Sequence, residues 1–344
     1  MAARKLIHRA FLVYGTLFAA FLGIAVGAIA WDLTRFLNRP LPVTEPKLLQ
    51  VASGSTFTSL SRQWVNEGVI RWPHHARYLQ LYARLSGKDV RLQVGEYNVL
   101  PGMTGRGLVD GLISGRVYQH RLTVIEGWTF AQMMRAIAGE KRLKRVLTDY
   151  SAATVMQALG RPGEHPEGRF YPDTYNFASS MSDVEFLRRA YDNMSRILER
   201  EWAGRAGDMP LNSPYEALIL ASIVEKETGK AHERGQIAGV FARRLKLGML
   251  LQTDPTVIYG MGSAYAGNIR REDLLRDTPY NTYTRAGLPP TPICLPGRAA
   301  IRAAVQPAPG DAIYFVSRGD GTHEFSVTIE QHNNAVRKYQ LKRP

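Results

Sequence analysis

Two glutamates stand at the end of a segment whose pattern predicts an otherwise apolar helix. Residues 213–230 read SPYEALILASIVEKETGK, in which Ser213 and Glu216 have the spacing of a capping box. A proline at the first helical position and a threonine-glycine pair at the far end mark the two boundaries. The run between them is apolar almost throughout, which predicts burial on nearly all sides. Glu225 and Glu227 therefore end a buried helix, where carboxylates are rare without a specific role.

The helical spacing favours Glu227 as the unusual group. Residues three and four apart share a helix face, so Glu227 extends an apolar stripe, whereas Glu225 extends a smaller and more polar one. The negative end of the helix dipole also opposes a charge on Glu227. Apolar surroundings and the dipole both favour the protonated carboxyl group. A carboxyl group that stays protonated near neutral pH is what glycosidic bond cleavage requires of its general acid.

A competing interpretation gives the two glutamates no chemistry. In this alternative both lie on the surface at a frayed helix end, paired with Lys226 or Lys230. The pattern of residues 213–230 does not by itself choose between a reactive carboxyl group and this solvated pair.

Metal and thiol chemistry are not expected. Cys294 is the only cysteine, so the chain has no intrachain disulfide and no multi-cysteine metal site. The histidines show no paired ligand spacing such as H-x-x-x-H; those considered are His165, His232, His323 and His332. We therefore expect neither a metal nor another cofactor.

The N-terminal segment determines in which compartment these glutamates work. Residues 10–31 carry no charge and are long enough to span a bilayer as a helix. Arg4, Lys5 and Arg9 precede the segment, so the N-terminus should stay in the cytoplasm while the rest is exported. A signal peptide cleaved after Ala30 is the alternative, although the apolar stretch exceeds a usual signal core. We expect a single-pass anchor in the cytoplasmic (inner) membrane with a periplasmic or otherwise extracytoplasmic catalytic domain.

The charge balance indicates a polyanionic neighbour. The 344 residues include 44 basic and 30 acidic side chains, a formal net charge of +14. Such a balance favours nucleic acid, anionic lipid or an acidic cell-wall polymer. Export argues against nucleic acid, and no nucleic-acid-binding motif is present. The dense basic run at residues 141–145 is expected to be a solvated helix face.

Between the anchor and the glutamate helix the pattern changes twice. Residues 32–48 contain three prolines and predict an extended linker. Residues 49–118 then predict a small module in which a short strand, two helices and a second strand follow one another. This β-α-α-β order resembles a LysM-type glycan-binding module. Residues 119–344 are predicted to form a larger domain, so we expect an α+β fold after one transmembrane helix.

Several long strings in residues 119–344 resemble the YceG-like family. They are IVEKET at residues 223–228, FARRLKLGMLLQTDPTVIYGMG at 241–262, TPYNTYTRAGLPPTPI at 278–293 and PGRAAIRAAVQPA at 296–308. The resemblance also takes in EGW at 126–128 and FYPDTY at 170–175. It covers the chain from the anchor to the C-terminus.

The resemblance implies a membrane-anchored lytic transglycosylase that cuts within peptidoglycan strands at the MurNAc-GlcNAc bond. The family's catalytic glutamate lies in its E-K-E-T motif, which is residues 225–228 here. The second glutamate of the motif, Glu227, corresponds to the catalytic one. One carboxyl group then acts as acid and as base, and the product carries a 1,6-anhydro-MurNAc end. The family further implies a role beside penicillin-binding synthases and the division machinery, where cutting limits the length of nascent strands.

Six further residues are candidates for binding the saccharide beside the catalytic glutamate. Tyrosine rings stack on sugar faces, while amides and carboxylates hold hydroxyl and N-acetyl groups. The candidates are Glu225, Gln252, Asp254, Tyr259, Asn281 and Tyr283. An Asx turn before Pro255 is the alternative role for Asp254, and a place in the core is the alternative for Tyr259.

Two other functions stay open at this point. A hydrolytic muramidase would need a second carboxylate, from Glu225 or Asp254, to activate water. A non-catalytic glycan-binding scaffold would use Glu227 only to shape a groove.

Overall fold

A computed structural model of the chain describes residues 2–86 and 92–341. It divides into an N-terminal unit, Met1–His120 with Ala178–Ser180, and a C-terminal unit, Arg121–Phe177 with Met181–Pro344. This division lies close to the domain boundary predicted after residue 118. The predicted extents 1–9, 49–118 and 119–344 include residues 1, 87–91 and 342–344, which lie outside the described residues.

Helix α1, Ala2–Asn38, contains the predicted membrane segment. The stretch Phe11–Asn38 is long and apolar enough to cross a membrane. Large apolar side chains such as Phe11, Phe18 and Ile24 are exposed along it. Within the described residues, the rest of the chain does not bury the most apolar part of this stretch.

The linker predicted over residues 32–48 is largely part of the N-terminal unit. Helix α1 continues through Asn38, and Leu37, Leu41 and Val43 are buried in the core that follows. The backbone N–H of Leu41 also donates to Met103 O at 2.7 Å. Between Arg39 and Pro46 the backbone contains several bends, and the buried apolar side chains attach this segment to the core.

The remaining N-terminal unit has the β-α-α-β order read from the sequence. Strand β1, Lys47–Val51, pairs antiparallel with β2, Gly95–Val99, and between them lie α2, Phe57–Asn66, and α3, Pro73–Leu85; α4, Gly105–Ile113, follows. Thr56 forms a capping box that begins α2. The core is built around the fully buried Trp64 and Leu79. Its identity as a LysM-like glycan-binding module stays a prediction.

The C-terminal unit mixes nine α-helices with two short two-stranded sheets in its described part, which confirms the predicted α+β class. In chain order its elements are β3, His120–Thr123 (whose first residue belongs to the N-terminal unit), α5, Phe130–Gly139, α6, Ala152–Ala158, β4, Thr174–Phe177, α7, Asp183–Ala203, α8, Pro214–Glu227, α9, Arg234–Lys246, α10, Asp254–Met261, α11, Arg271–Leu275, α12, Arg298–Val305, β5, Tyr314–Ser317, β6, His323–Ser326, and α13, Ile329–Tyr339. Strand β3 pairs with β4, and β5 pairs antiparallel with β6. The basic run 141–145 lies in a turn after α5 instead of on a helix, with its four basic side chains exposed and Leu143 buried.

Helix α8 is the central element of the larger core. All eight residues from Ala217 to Val224 are buried, and α8 packs against α7, α9, α10 and α12. Ser213 caps its first turn by accepting from Glu216 N at 3.2 Å. The predicted capping box is only half formed, because the Glu216 carboxylate accepts from Asn212 N at 2.7 Å instead of from Ser213 N. The buried part of α8 ends at Val224, so its last residue, Glu227, lies at the edge of this core and is only partly exposed.

Candidate active site

Glu227 lines a cleft of about 430 Å³ in the C-terminal unit. The segments that meet there are the end of α8, α9, the loop before α10, the loop that carries Tyr283, the hairpin of β5 and β6, and α13 with the residue after it. The polar residues that line it are Glu227, Arg244, Gln252, Thr253, Asp254, Tyr283, Ser317, His323, His332 and Gln340. The loop and hairpin come from segments that are distant in sequence, and the rigid α8 core positions all of them around one carboxyl group.

The carboxyl group of Glu227 has an unusual protonation equilibrium. Desolvation raises its pKa to about 7, and the charge of Asp254 adds to this rise. A hydrogen bond from the Thr253 hydroxyl to Oε1 and the charge of His323 act in the opposite direction. The residue is only partly exposed, through the cleft that it lines. Near neutral pH both the acid and the carboxylate are therefore populated, as a group that donates and then removes a proton requires.

Buried threonines hold the Thr253 hydroxyl in place. Thr253 N donates to Thr282 Oγ1 at 3.1 Å, and Thr256 Oγ1 donates to Thr253 O at 2.8 Å. All three threonines are buried. Thr253 was not predicted as a site residue, although it immediately precedes Asp254, which was predicted to bind the saccharide. Its hydrogen bond occupies Oε1 of Glu227, whereas Oε2 accepts no hydrogen bond from the described part of the chain.

Replacing Thr253 with valine should move the pH dependence of any reaction that uses Glu227 as an acid. Valine removes a hydrogen bond that favours the carboxylate, so the pKa of Glu227 should rise above its value of about 7. The wild-type kcat/KM should fall as pH rises through about 7, and in Thr253→Val this fall should occur at higher pH.

Thr256→Val is the matched control, because Thr256 belongs to the same buried network without touching Glu227. It should lower stability and leave the pH at which activity falls unchanged. An unchanged pH profile in Thr253→Val would show that Thr253 does not tune the reacting group.

Gln252 and Arg244 shape the loop that carries Thr253. Gln252 has φ +51°, which places it in the left-handed region that non-glycine residues rarely adopt. The buried Arg244 fixes this conformation by donating to Leu250 O and Leu251 O, each at 3.0 Å, and to Gln252 Oε1 at 3.3 Å. The loop is therefore rigidly held with its polar side chains toward the cleft.

Asp254 and Tyr283 both line the cleft and are hydrogen-bonded to each other. The Tyr283 hydroxyl donates to Asp254 Oδ1 at 2.5 Å. Desolvation raises the pKa of Tyr283 far above its usual value, so its hydroxyl remains a donor at every physiological pH. Asp254 also begins α10, so it serves both the helix start and the cleft.

A histidine that sequence reasoning did not assign to the site faces the same cleft. His323 Nδ1 lies 2.8 Å from Glu233 Oε2, and His323 N donates to Glu233 Oε1 at 2.9 Å. Burial favours the protonated form of Glu233, but the hydrogen bonds and charge of His323 outweigh it and lower the pKa of that carboxyl group. Glu233 and His323 are 90 residues apart, so no local motif reveals this pair.

Three predicted substrate-binding residues do not line the cleft. Glu225 accepts from Gly297 N at 3.0 Å and lies 3.6 Å from Arg234, which ties α8 to the start of α12. Asn281 is buried, and its Nδ2 lies 2.7–3.3 Å from three backbone carbonyl oxygens. Tyr259 donates to Glu167 Oε2 at 3.0 Å in a different cavity of about 800 Å³. Their polar groups are thus occupied by the protein itself.

Glu167 is a second carboxyl group whose pKa is raised to about 7, again mainly by desolvation. Its two oxygens accept from Phe130 N at 2.8 Å and from the Tyr259 hydroxyl. The loop that holds it is rich in aromatic and turn residues, but the sequence offered no sign of its burial. Because protein donors engage both oxygens, Glu227 is better placed for chemistry on a ligand.

Comparison with known proteins shows the family to which the chain belongs. The model of the YceG-like family matches residues 49–338. The chain is 31% identical to the endolytic murein transglycosylase of Bacillus subtilis over 85% of this chain and 84% of that protein. It is 24% identical to the protein of the same name from Streptococcus pneumoniae D39, over 96% of this chain but only 65% of that protein. A crystal structure of a YceG-like protein from Listeria monocytogenes superposes with a TM-score of 0.54 at 27% identity, covering 85% of this chain and 99% of that one. The chain therefore belongs to the YceG-like family.

Proposed function

We propose that this chain is an endolytic lytic transglycosylase that cleaves the MurNAc-GlcNAc bond of peptidoglycan with Glu227 as its acid and base. The observation that carries the proposal is the state of Glu227. Its pKa is raised to about 7, Thr253 holds one oxygen, and the other oxygen faces the cleft without a protein donor in the described residues. The relatives from Bacillus and Streptococcus, both named endolytic murein transglycosylases, support the substrate class.

In the first step the protonated Glu227 donates its proton to the glycosidic oxygen as the bond to C1 of MurNAc breaks. The carboxylate that results accepts the Thr253 hydrogen bond more strongly than the acid did, because the charged form is the better acceptor. It then removes the proton from the 6-hydroxyl of the same MurNAc while O6 bonds to C1. The proton returns to Glu227, the product ends in 1,6-anhydro-MurNAc, and no water is consumed.

One observation favours a second candidate, a hydrolytic muramidase. Asp254 lies in the same cleft and its charge raises the pKa of Glu227, so a second carboxylate is close enough to interact with the first. Asp254 would then activate water while Glu227 acts as the acid. Glu225, the other carboxylate considered for this role, does not line the cleft.

Purified full-length protein incubated with long, isolated glycan strands tests the proposal. Internal cutting should convert the strands first into fragments of intermediate length, whereas release of disaccharides alone would contradict an endolytic enzyme. Intact strands after incubation would leave the non-catalytic glycan-binding scaffold as the better account.

The proposal includes a retained anchor in the cytoplasmic membrane, supported by the exposed apolar face of α1 and by the basic residues before it. A reporter enzyme fused after Pro344 should be active only outside the cytoplasm, and cytoplasmic activity would overturn this topology. The finer role, limiting nascent strands beside penicillin-binding synthases and the division machinery, predicts longer strands in cells that lack this chain.

A further inference from the structure

A pocket of about 400 Å³ opens in the N-terminal unit where α1 leaves its apolar stretch and meets α3. The end of α1 contributes Asp32 and Arg35, and Arg39 follows directly after it. The start of α3 contributes His75, preceded by Arg71 and Trp72. Leu41 forms part of its floor and is buried in the core of this unit. The pocket is thus built by elements that are packed together and is not a gap beside a free tail.

The positive charge of this pocket is not balanced by the protein. Within residues 2–86 and 92–341, no carboxylate lies within 4.0 Å of Arg35, Arg39 or Arg71; Arg35 instead stacks over the ring of Trp31 at 4.8 Å. Asp32 is the single acidic residue lining the pocket. Its carboxylate lies 3.4 Å from His74 Nε2 and 3.9 Å from His75 Nε2, and one carboxylate offsets at most one of the three arginine charges.

These charges favour an anion over a metal ion. Asp32, His74 and His75 are near enough to one another to hold a cation, but three guanidinium groups line the same region and would repel one.

The position of the pocket along α1 indicates which kind of anion can reach it. Residues 11–31 form about 30 Å of helix, the thickness of a bilayer's hydrocarbon core. Arg35 lies about 6 Å and Arg39 about 12 Å beyond that stretch along the axis, which reaches into and through the headgroup layer. Trp31 and Trp72 are 63% and 54% exposed beside them, as is typical of aromatic residues at a membrane interface.

Packing at the end of α1 prevents the pocket from moving away from the membrane. Leu37 is buried, and the ring of Phe36 stacks on His75 with centroids 4.1 Å apart. The helix is continuous to Asn38, so the N-terminal unit is rigidly joined to the membrane-spanning part.

We propose that this pocket binds the phosphate group of an anionic phospholipid in the leaflet on the exported side, and so seats the N-terminal unit on the bilayer surface. The inference rests on the retained anchor of the proposed function. Phosphate chemistry is shared by lipid headgroups and free phosphate, and the test separates these two sources.

Full-length protein is reconstituted into nanodiscs of mixed phosphatidylglycerol and phosphatidylcholine, and the lipids retained on the released protein are identified by native mass spectrometry. The wild type should retain phosphatidylglycerol in preference to phosphatidylcholine. The variant Arg35→Gln/Arg39→Gln/Arg71→Gln should lose this preference by about fivefold for each arginine, on the order of a hundredfold in total. The matched control, Arg62→Gln/Arg77→Gln/Arg84→Gln, removes the same charge from exposed arginines of the same unit that do not line the pocket, and should behave as the wild type.

Equal retention by the wild type and the pocket variant, or equal losses in pocket and control variants, would overturn the proposed site. Displacement of phosphatidylglycerol by millimolar inorganic phosphate would assign the pocket to a soluble anion and overturn the lipid assignment. Thermal unfolding of each variant identifies any that fails to fold. Protein that does not co-elute with nanodiscs would refute the anchor itself, whereas co-elution without lipid preference refutes only this inference.

Discussion

Glu227→Gln should reduce cleavage of glycan strands by about 10²–10⁴-fold, the usual contribution of a general acid and base. Glutamine preserves the size of the side chain and can still accept the Thr253 hydrogen bond, but it delivers no proton. Because the pKa of Glu227 is about 7, the carboxyl group is mostly neutral at pH 6, and replacing it with a neutral amide should change stability little there. Initial rates on isolated strands at pH 6, with thermal unfolding at the same pH, measure both effects.

Glu225→Gln is the natural control, since the two glutamates lie two residues apart on the same helix. Glu225 is engaged by Gly297 N and Arg234 and does not line the cleft, so its substitution should lower stability more than it lowers the rate. A fully active Glu227→Gln protein together with an inactive Glu225→Gln protein would show that Glu225, and not Glu227, is the catalytic group. Full activity in both would refute the mechanism.

Asn281→Leu should destabilise the C-terminal unit by about 2–4 kcal/mol, because it removes the donor shared by three backbone carbonyl groups in a buried loop. Asn281 Oδ1 also accepts from Tyr283 N at 2.8 Å, so the substitution also frees the loop that presents Tyr283. For a unit of this size the unfolding midpoint should fall by on the order of 10 °C, as calorimetry can measure.

The exposed Asn268 provides the comparison for this substitution. Asn268→Leu should leave the unfolding midpoint nearly unchanged, because it removes no buried donor. If Asn281→Leu instead raised KM while the midpoint stayed at the wild-type value, Asn281 would be a substrate-binding residue, as the sequence first indicated, and its structural role would be refuted.

The features predicted from the sequence depend on local pattern. The apolar run before Glu227 and the cap residues around it were enough to place α8, to bury it and to single out one face of its last turn. The apolar segment 10–31 and the β-α-α-β order after it are likewise patterns of neighbouring residues.

The features that were missed depend on contacts that only the folded chain makes. Tyr259 and Asn281 are residue types that bind sugars, but the Tyr259 hydroxyl donates to Glu167, which is 92 residues away. The Asn281 amide donates to three backbone carbonyl groups five to eight residues earlier, which the loop brings together only when it is folded. Thr253 and the Glu233–His323 pair join the cleft only because α8, the loop before α10 and the β5–β6 hairpin meet in the folded unit. The prolines of 32–48 predicted an extended linker, whereas α1 continues to Asn38, and Leu41 and Val43 pack into the core of the N-terminal unit.

Cleavage of glycan strands by the purified protein in water labelled with ¹⁸O most directly distinguishes transglycosylation from hydrolysis, because only hydrolysis transfers solvent oxygen to the product. If Glu227 removes the proton of the 6-hydroxyl while O6 bonds to C1, every new end is a 1,6-anhydro-MurNAc. This end is lighter by one water than a reducing end and carries no label. Mass spectrometry of the fragments should show this product alone. New reducing ends that carry one ¹⁸O would show that water attacks C1, and would contradict transglycosylation in favour of hydrolysis with Asp254 as the second carboxylate.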